Sequence, residues 1–219
     1  MKKIITPDGS VTFHNEQFDE SYHSRSGAKE EAVKKFAEPC QIAELAKKGH
    51  IRMLDICFGL GYNTAAAIDT ALEANSECKI EVIGLEIDPE ILSAIGELDN
   101  SFLCFDIIKE AAKNKIYKNN NVSIQLILGD AIETIKQTSG EFNAIFLDPF
   151  SPKKCPQLWT KEFFEELYKR TINNGRLATY SCARIVRDNL RAVGYEIHDG
   201  PQLWRRGPST IAIKHLNPN

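Results

Sequence analysis

Leu54-Asp55-Ile56-Cys57-Phe58-Gly59-Leu60-Gly61 decides the fold. It ends an apolar run, Ile51–Cys57, and turns through two glycines into an alanine-rich run, Asn63–Asn75. Glycine there permits positive φ and a close approach of backbone to ligand. A buried strand, a glycine turn and a helix open a βαβ unit. Outward from it the alternation continues. Strands are expected over Lys79–Ile87, Val122–Leu128, Glu141–Leu147 and Arg176–Ser181. Helices are expected over Glu30–Lys48, from Asp88-Pro89-Glu90, and over Asp130–Thr138, Lys161–Ile172 and Ala183–Val193. Tyr195–His198 and Thr210–Lys214 are joined without a helix, so they close the chain as an antiparallel hairpin. The expectation is an α/β fold: a doubly wound, mostly parallel, Rossmann-like sheet with that hairpin at its C-terminal end. Residues 1–49 (a strand or hairpin plus a helix) form an N-terminal extension packed on a main domain over 50–219. Residues 97–121 are a surplus segment, apolar from Phe102 to Ile108 and then rich in lysine and asparagine.

Bulk composition narrows the class. Of 219 residues, 42% are hydrophobic and 26% charged, as in an ordinary globular domain. No apolar run approaches the roughly 20 residues of a membrane span, and no leader-like run follows Met1, so a cytoplasmic protein is expected. Cys40, Cys57, Cys78, Cys104, Cys155 and Cys182 form no CxxC pair and fit free thiols, with no metal site. A net charge of -3 excludes a uniformly basic nucleic-acid binder but leaves local basic patches open.

Acids stand at the ends of three successive strands. Asp55 opens the glycine turn, where a carboxylate suits a cationic amine. Glu86 ends the second strand, where it can accept from ribose hydroxyls, and Asp130 follows the third, where it can accept from an exocyclic amine while capping a helix. This combination resembles the class I S-adenosylmethionine-dependent methyltransferases. The resemblance implies a seven-stranded sheet whose last strand is antiparallel, with S-adenosylmethionine as cofactor. It places Asp55, Gly59, Gly61, Asn63, Glu86, Asp130 and Ala131 against that cofactor. Cys57 occupies the position where that family's loop often has its first glycine.

A fourth acid closes the apolar run Phe142–Leu147. Asp148-Pro149-Phe150 resembles the acid-Pro-Pro-aromatic loop of amino-group methyltransferases. That chemistry needs a neutral nitrogen whose lone pair points at the methyl carbon, and a carboxylate plus a backbone carbonyl accepting N–H bonds would orient it. The longer stretch Leu147-Asp148-Pro149-Phe150-Ser151-Pro152-Lys153-Lys154-Cys155-Pro156-Gln157-Leu158-Trp159-Thr160 resembles the MnmC methyltransferase-domain family. So do Phe18-Asp19-Glu20-Ser21-Tyr22-His23-Ser24-Arg25-Ser26-Gly27 near the N-terminus and the tail from Leu203-Trp204-Arg205-Arg206-Gly207 to Ile213.

The MnmC resemblance implies methylation of the primary amine of 5-aminomethyl-(2-thio)uridine at the tRNA wobble position. It makes Asp148 the catalytic carboxylate, in contact with the cofactor too, and folds Tyr22 and Ser24 over the methionine part. Pro149 and Phe150 would face the base, and Lys153, Lys154, Arg205 and Arg206 the tRNA. Many members carry a fused FAD-dependent oxidoreductase; this chain is expected to be the stand-alone form, without FAD. Two rivals share the fold: an aminopropyltransferase of the spermidine-synthase type, and a non-catalytic RNA-binding or partner module. Asp55 and the basic rim argue against the first, and the set of placed acids against the second.

Overall fold

The computed structural model describes residues 2–22, 27–98, 102–203 and 207–215. The chain opens with β1 (Lys2–Ile5), β2 (Val11–Asn15) and β3 (Glu20–Ser21), an antiparallel sheet in that order. Then come α1 (Ala28–Ala32), a π-helical turn (Val33–Ala37) and α2 (Ile42–Ala46). The main sheet and its crossovers follow: β4 (His50–Ile56), α3 (Tyr62–Ala74), β5 (Lys79–Glu86), α4 (Pro89–Ala94), α5 (Phe105–Asn114), β6 (Ile116–Lys118) and β7 (Val122–Leu128). The chain continues through α6 (Ala131–Thr134), β8 (Phe142–Leu147), α7 (Lys161–Lys169), β9 (Thr171–Thr179), α8 (Arg184–Ala192), β10 (Glu196–Asp199) and β11 (Thr210–Ile213).

The main sheet has eight strands in the order β10-β11-β9-β8-β4-β5-β7-β6. Strands β9, β8, β4, β5 and β7 are mutually parallel, and β11 and β10 add the antiparallel C-terminal hairpin. These seven match the expected ones. The eighth, β6, comes from the surplus segment and pairs antiparallel with β7 at the edge. The segment therefore supplies both α5, whose Phe105, Ile108, Ala111 and Ala112 are buried, and an edge strand.

Alternation along β4 places its side chains in two layers. Ile51 and Met53 join the core under α3 and α5, while Leu54 and Ile56 join the core under α7 and α8. The N-terminal sheet is tied to the first layer by Tyr62, whose hydroxyl donates to the Val11 carbonyl (2.7 Å) and accepts from its N–H (3.3 Å). The helix expected over Glu30–Lys48 is broken at Glu38–Gln41. Pro39 lacks the N–H that would continue the helix, and Gln41 takes a left-handed φ of 55° before α2 begins.

Chain order runs from β4 outward through β5 to β7, then returns to the other side of β4 as β8. The β4–β8 boundary is thus the topological switch point, and the loops after these two strands open a crevice there.

Candidate active site

The loop after β4 is built on three left-handed residues: Cys57 (φ 64°), Gly59 (φ 56°) and Gly61 (φ 74°). At Gly61 a Cβ would come within 2.6 Å of Ile108 and 2.9 Å of the Phe58 ring, so only glycine fits. Gly59 N–H donates to Glu86 Oε2 (2.7 Å), and Glu86 Oε1 accepts from the N–H groups of Ile87 (2.8 Å) and Asp88 (2.9 Å). Three backbone donors fix this buried carboxylate at the end of β5. Burial raises its pKa, against the lowering effect of the same three donors.

The neighbouring Asp88 caps α4 through Glu90 N–H (2.8 Å) and accepts from the Tyr22 hydroxyl (2.6 Å). That hydroxyl also accepts from Asn15 Nδ2 (3.0 Å). Burial and the Asp88 carboxylate push the Tyr22 phenol far above its ordinary range. Asp130 caps α6 through Ile132 N–H (2.9 Å) beside Gly129 and Ala131.

Asp148 ends β8 across the crevice. Its Oδ2 accepts from Asn63 Nδ2 (2.9 Å) at the start of α3. The next two carbonyls are each held by a side chain: Pro149 O accepts from the Tyr180 hydroxyl (2.9 Å) and Phe150 O from Trp159 Nε1 (2.9 Å). The backbone acceptor expected to help hold an amine is thereby oriented by Tyr180.

The β2–β3 hairpin closes over this loop. Phe18 stacks on Phe150 (4.8 Å between centroids, 26° between planes), and Tyr22 lies tilted against the same ring at 5.2 Å. The Glu20 carboxylate accepts from Ser151 N–H (2.8 Å) and from the Ser151 hydroxyl. Asp19 pairs with Lys154 at 3.3 Å. One short segment therefore grips both the loop after β8 and, through Tyr22, the acid after β5.

These walls enclose a cavity of about 760 Å³. Of the residues expected to act, it is lined by Tyr22, Gly59, Glu86, Asp130, Ala131, Asp148, Pro149 and Phe150. Asp55, Gly61 and Asn63 do not line it. Asp55 is fully buried behind the loop. Its Oδ2 accepts from Thr64 Oγ1 (2.7 Å), its Oδ1 has no partner among the described residues, and burial raises its pKa to about 7. Asn63 holds Asp148 instead of facing the cavity.

Lys153 and Lys154 are exposed on the loop beyond Phe150. Ser24, Trp204, Arg205 and Arg206 lie outside the described residues. Arg187, one of three arginines at helical spacing, is a structural tie to Thr210 Oγ1 (2.9 Å), Ser209 O (3.0 Å) and Asp199 (2.7 Å). Glu20, Phe18 and Tyr180 were not singled out from sequence. Glu20 and Phe18 sit in the Phe18–Gly27 segment that carries the resemblance, while Tyr180 has no sequence signal beyond its place at a strand end. Burial raises the thiol pKa of Cys57 well above its ordinary value and that of Cys155 to about 11, so neither wall cysteine is a thiolate at neutral pH.

A family model described as S-adenosyl-L-methionine-dependent methyltransferase matches residues 98–215, more than half of the chain. The chain belongs to this methyltransferase family. An uncharacterized protein of Methanocaldococcus jannaschii is 38% identical over 99% of the chain and 60% of its own length. The tRNA 5-methylaminomethyl-2-thiouridine biosynthesis bifunctional protein MnmC of Leptospira interrogans is 26% identical over 93% of the chain and 34% of its own length. The chain thus spans about three fifths of one relative and one third of the other. The crystal structure of MNMC2 from Aquifex aeolicus superposes with a TM-score of 0.84 at 32% identity, over 96% of this chain and 69% of that one. A spermidine synthase from Thermotoga maritima, at 13% identity and a TM-score of 0.58, shares the fold.

S-adenosylmethionine is the cofactor of this methyltransferase family, and the residues present fit it. The bare Gly59 backbone, the clamped Glu86 carboxylate and the Asp130 cap all face one cavity of nucleoside-plus-amino-acid size. Among the described residues no helix is long and apolar enough to cross a membrane, and no group of three or more His, Cys, Asp or Glu could hold a metal ion.

Proposed function

We propose that this methyltransferase methylates the primary amine of 5-aminomethyl-(2-thio)uridine at the wobble position of tRNA, in the cytoplasm. One observation carries the reading. The Asp148 carboxylate shares a cavity wall with Gly59 and Glu86, and Asn63 orients it from the helix that follows the cofactor loop. The MnmC relatives supply the acceptor class.

When bound, S-adenosylmethionine supplies an electrophilic methyl group on a sulfonium. Glu86 would accept from the ribose hydroxyls, and Asp130 and Ala131 would face the adenine. Asp148 accepts an N–H of the incoming amine and takes the proton that an ammonium must lose before its lone pair is available. Tyr180 keeps the Pro149 carbonyl at the same nitrogen. Phe150, backed by Phe18, stacks on the flipped uracil and excludes water. Lys153 and Lys154, with Arg205 and Arg206, contact phosphates. In this reading residues 1–49 are an extension that closes the site of a methyltransferase domain over 50–219.

The deciding experiment is methyl transfer from labelled S-adenosylmethionine to tRNA bearing 5-aminomethyluridine and to the unmodified transcript. Label on the modified tRNA alone is expected. Label on neither, with cofactor binding intact, would overturn the acceptor.

A further inference from the structure

We propose that Asp88 is a positioning residue of the cofactor site: through the Tyr22 hydroxyl it sets the Tyr22 ring at the junction of the cofactor loop and the acceptor loop. The proposal rests on the family's cofactor and is independent of the tRNA reading.

Tyr22 stands where three strand ends meet. Its N–H donates to the Phe13 carbonyl (3.0 Å), which ties it to β2 at the end of the N-terminal hairpin. Its ring lies over the bare backbone of the loop after β4: a Cβ placed on Gly59 would be 3.6 Å from Tyr22 Cδ1. The same ring lies 5.2 Å from the Phe150 ring in the loop after β8. Its hydroxyl reaches Asp88, after β5, at 2.6 Å. Tyr22, Gly59, Asp88, Asp148 and Phe150 all line the one cavity.

Apolar contact is non-directional, so neither the Gly59 backbone nor the Phe150 ring fixes how the Tyr22 ring is turned. The hydroxyl supplies that direction. It donates to a carboxylate, the strong class of hydrogen bond, and its oxygen accepts from Asn15 Nδ2 at 3.0 Å.

Asp88 is itself held from two directions. Its Oδ1 caps α4 by accepting from Glu90 N–H (2.8 Å), and its own N–H donates to Glu86 Oε1 (2.9 Å). The first bond fixes the side chain and the second the main chain, so Oδ2 meets the hydroxyl from a set position. Asp88 therefore joins the carboxylate that ends β5 to the ring that spans the two loops. A wall ordered before the cofactor arrives spares the entropy of ordering it on binding.

The test is calorimetric titration of the whole chain with S-adenosylhomocysteine, using Tyr22→Phe, Asp88→Ser and the double variant. Serine keeps the α4 cap but is too short to reach the Tyr22 hydroxyl. Each single variant should bind about tenfold more weakly, as expected for losing a charged hydrogen bond, and the double variant within about twofold of either. Hydrogen exchange at the Tyr22 amide of the ligand-free chain should speed up in both single variants. Asp88→Asn, whose one carboxamide oxygen serves the α4 cap, takes the place of Asp88→Ser if that variant folds poorly. Losses that multiply in the double variant would mean that the two residues act separately. A loss in the Asp88 variant without one in Tyr22→Phe would make Asp88 a direct cofactor contact. Unchanged affinity with lowered denaturation midpoints would leave the bond a structural tie. Each of these three results overturns the assignment.

Discussion

Asn63 Nδ2 lies 2.9 Å from Asp148 Oδ2, joining the first turn of the helix behind the cofactor loop to the carboxylate at the end of β8. One side chain thereby sets the rotamer of the proposed catalytic acid from the cofactor side. A hydrogen bond to a charged group contributes about 1.5–3 kcal/mol, so Asn63→Ala should lower kcat by roughly 10- to 100-fold. Because Asn63 does not line the cavity, the S-adenosylhomocysteine Kd should stay within about threefold by the same reasoning. Steady-state kinetics paired with calorimetry checks this; a Kd that rises in step with the fall in kcat would make Asn63 a cofactor ligand instead.

Asp148→Ala should abolish transfer to the aminomethyl acceptor while leaving cofactor affinity within about tenfold, since the residue acts on the reacting nitrogen. Retained turnover would remove Asp148 from the mechanism.

Glu20 accepts two hydrogen bonds from Ser151, three residues past Asp148, and clamps the β2–β3 hairpin onto the loop. Glu20→Ala should free the Ser151 amide. Hydrogen exchange at that amide should speed up by at least tenfold, about 1.4 kcal/mol of local protection, with little change in the core strands. Unchanged exchange would mean that Phe18–Phe150 stacking alone holds the hairpin.

Asp55 titrates in a pH window of its own. Burial raises its pKa from 3.8 to about 7 in the folded chain. Between these values the folded protein holds a proton that the unfolded chain has released. Its contribution to stability is therefore present at low pH and falls as pH rises through that window, levelling off above about 7. Asp55→Asn, which can still accept from Thr64, should remove this slope. Urea unfolding from pH 4.5 to 8 would show parent and variant curves diverging with pH; parallel curves would refute the raised pKa.

Cys57 holds a left-handed φ of 64° that a β-carbon strains. Relief of roughly 1 kcal/mol in Cys57→Gly is offset by a similar gain in unfolded-chain entropy, so stability should stay within about 1 kcal/mol. Cys57→Val, β-branched in the same conformation, should lose at least about 2 kcal/mol. Denaturation midpoints at constant m-value decide between these outcomes.

The order of strands and helices, the glycine turn and the acids at strand ends were legible in the chain itself. Each rests on local physics: apolar periodicity, the steric demands of positive φ, and helix capping at Asp88 and Asp130. The seven main strands are there for the same reason. The edge strand β6 was not, because three residues with one half-buried side chain carry almost no periodic signal. The direction of each side chain within the site was decided only by tertiary packing. Asn63 meets Asp148 across 85 residues, and Glu20 meets Ser151 across 131. Asp55 and Glu86 are both acids at neighbouring strand ends, yet packing turns one into the interior and the other onto the cavity wall. Spacing along a strand names the face a residue occupies; which groups meet across a crevice depends on how separately coded elements pack, and no local pattern holds that information.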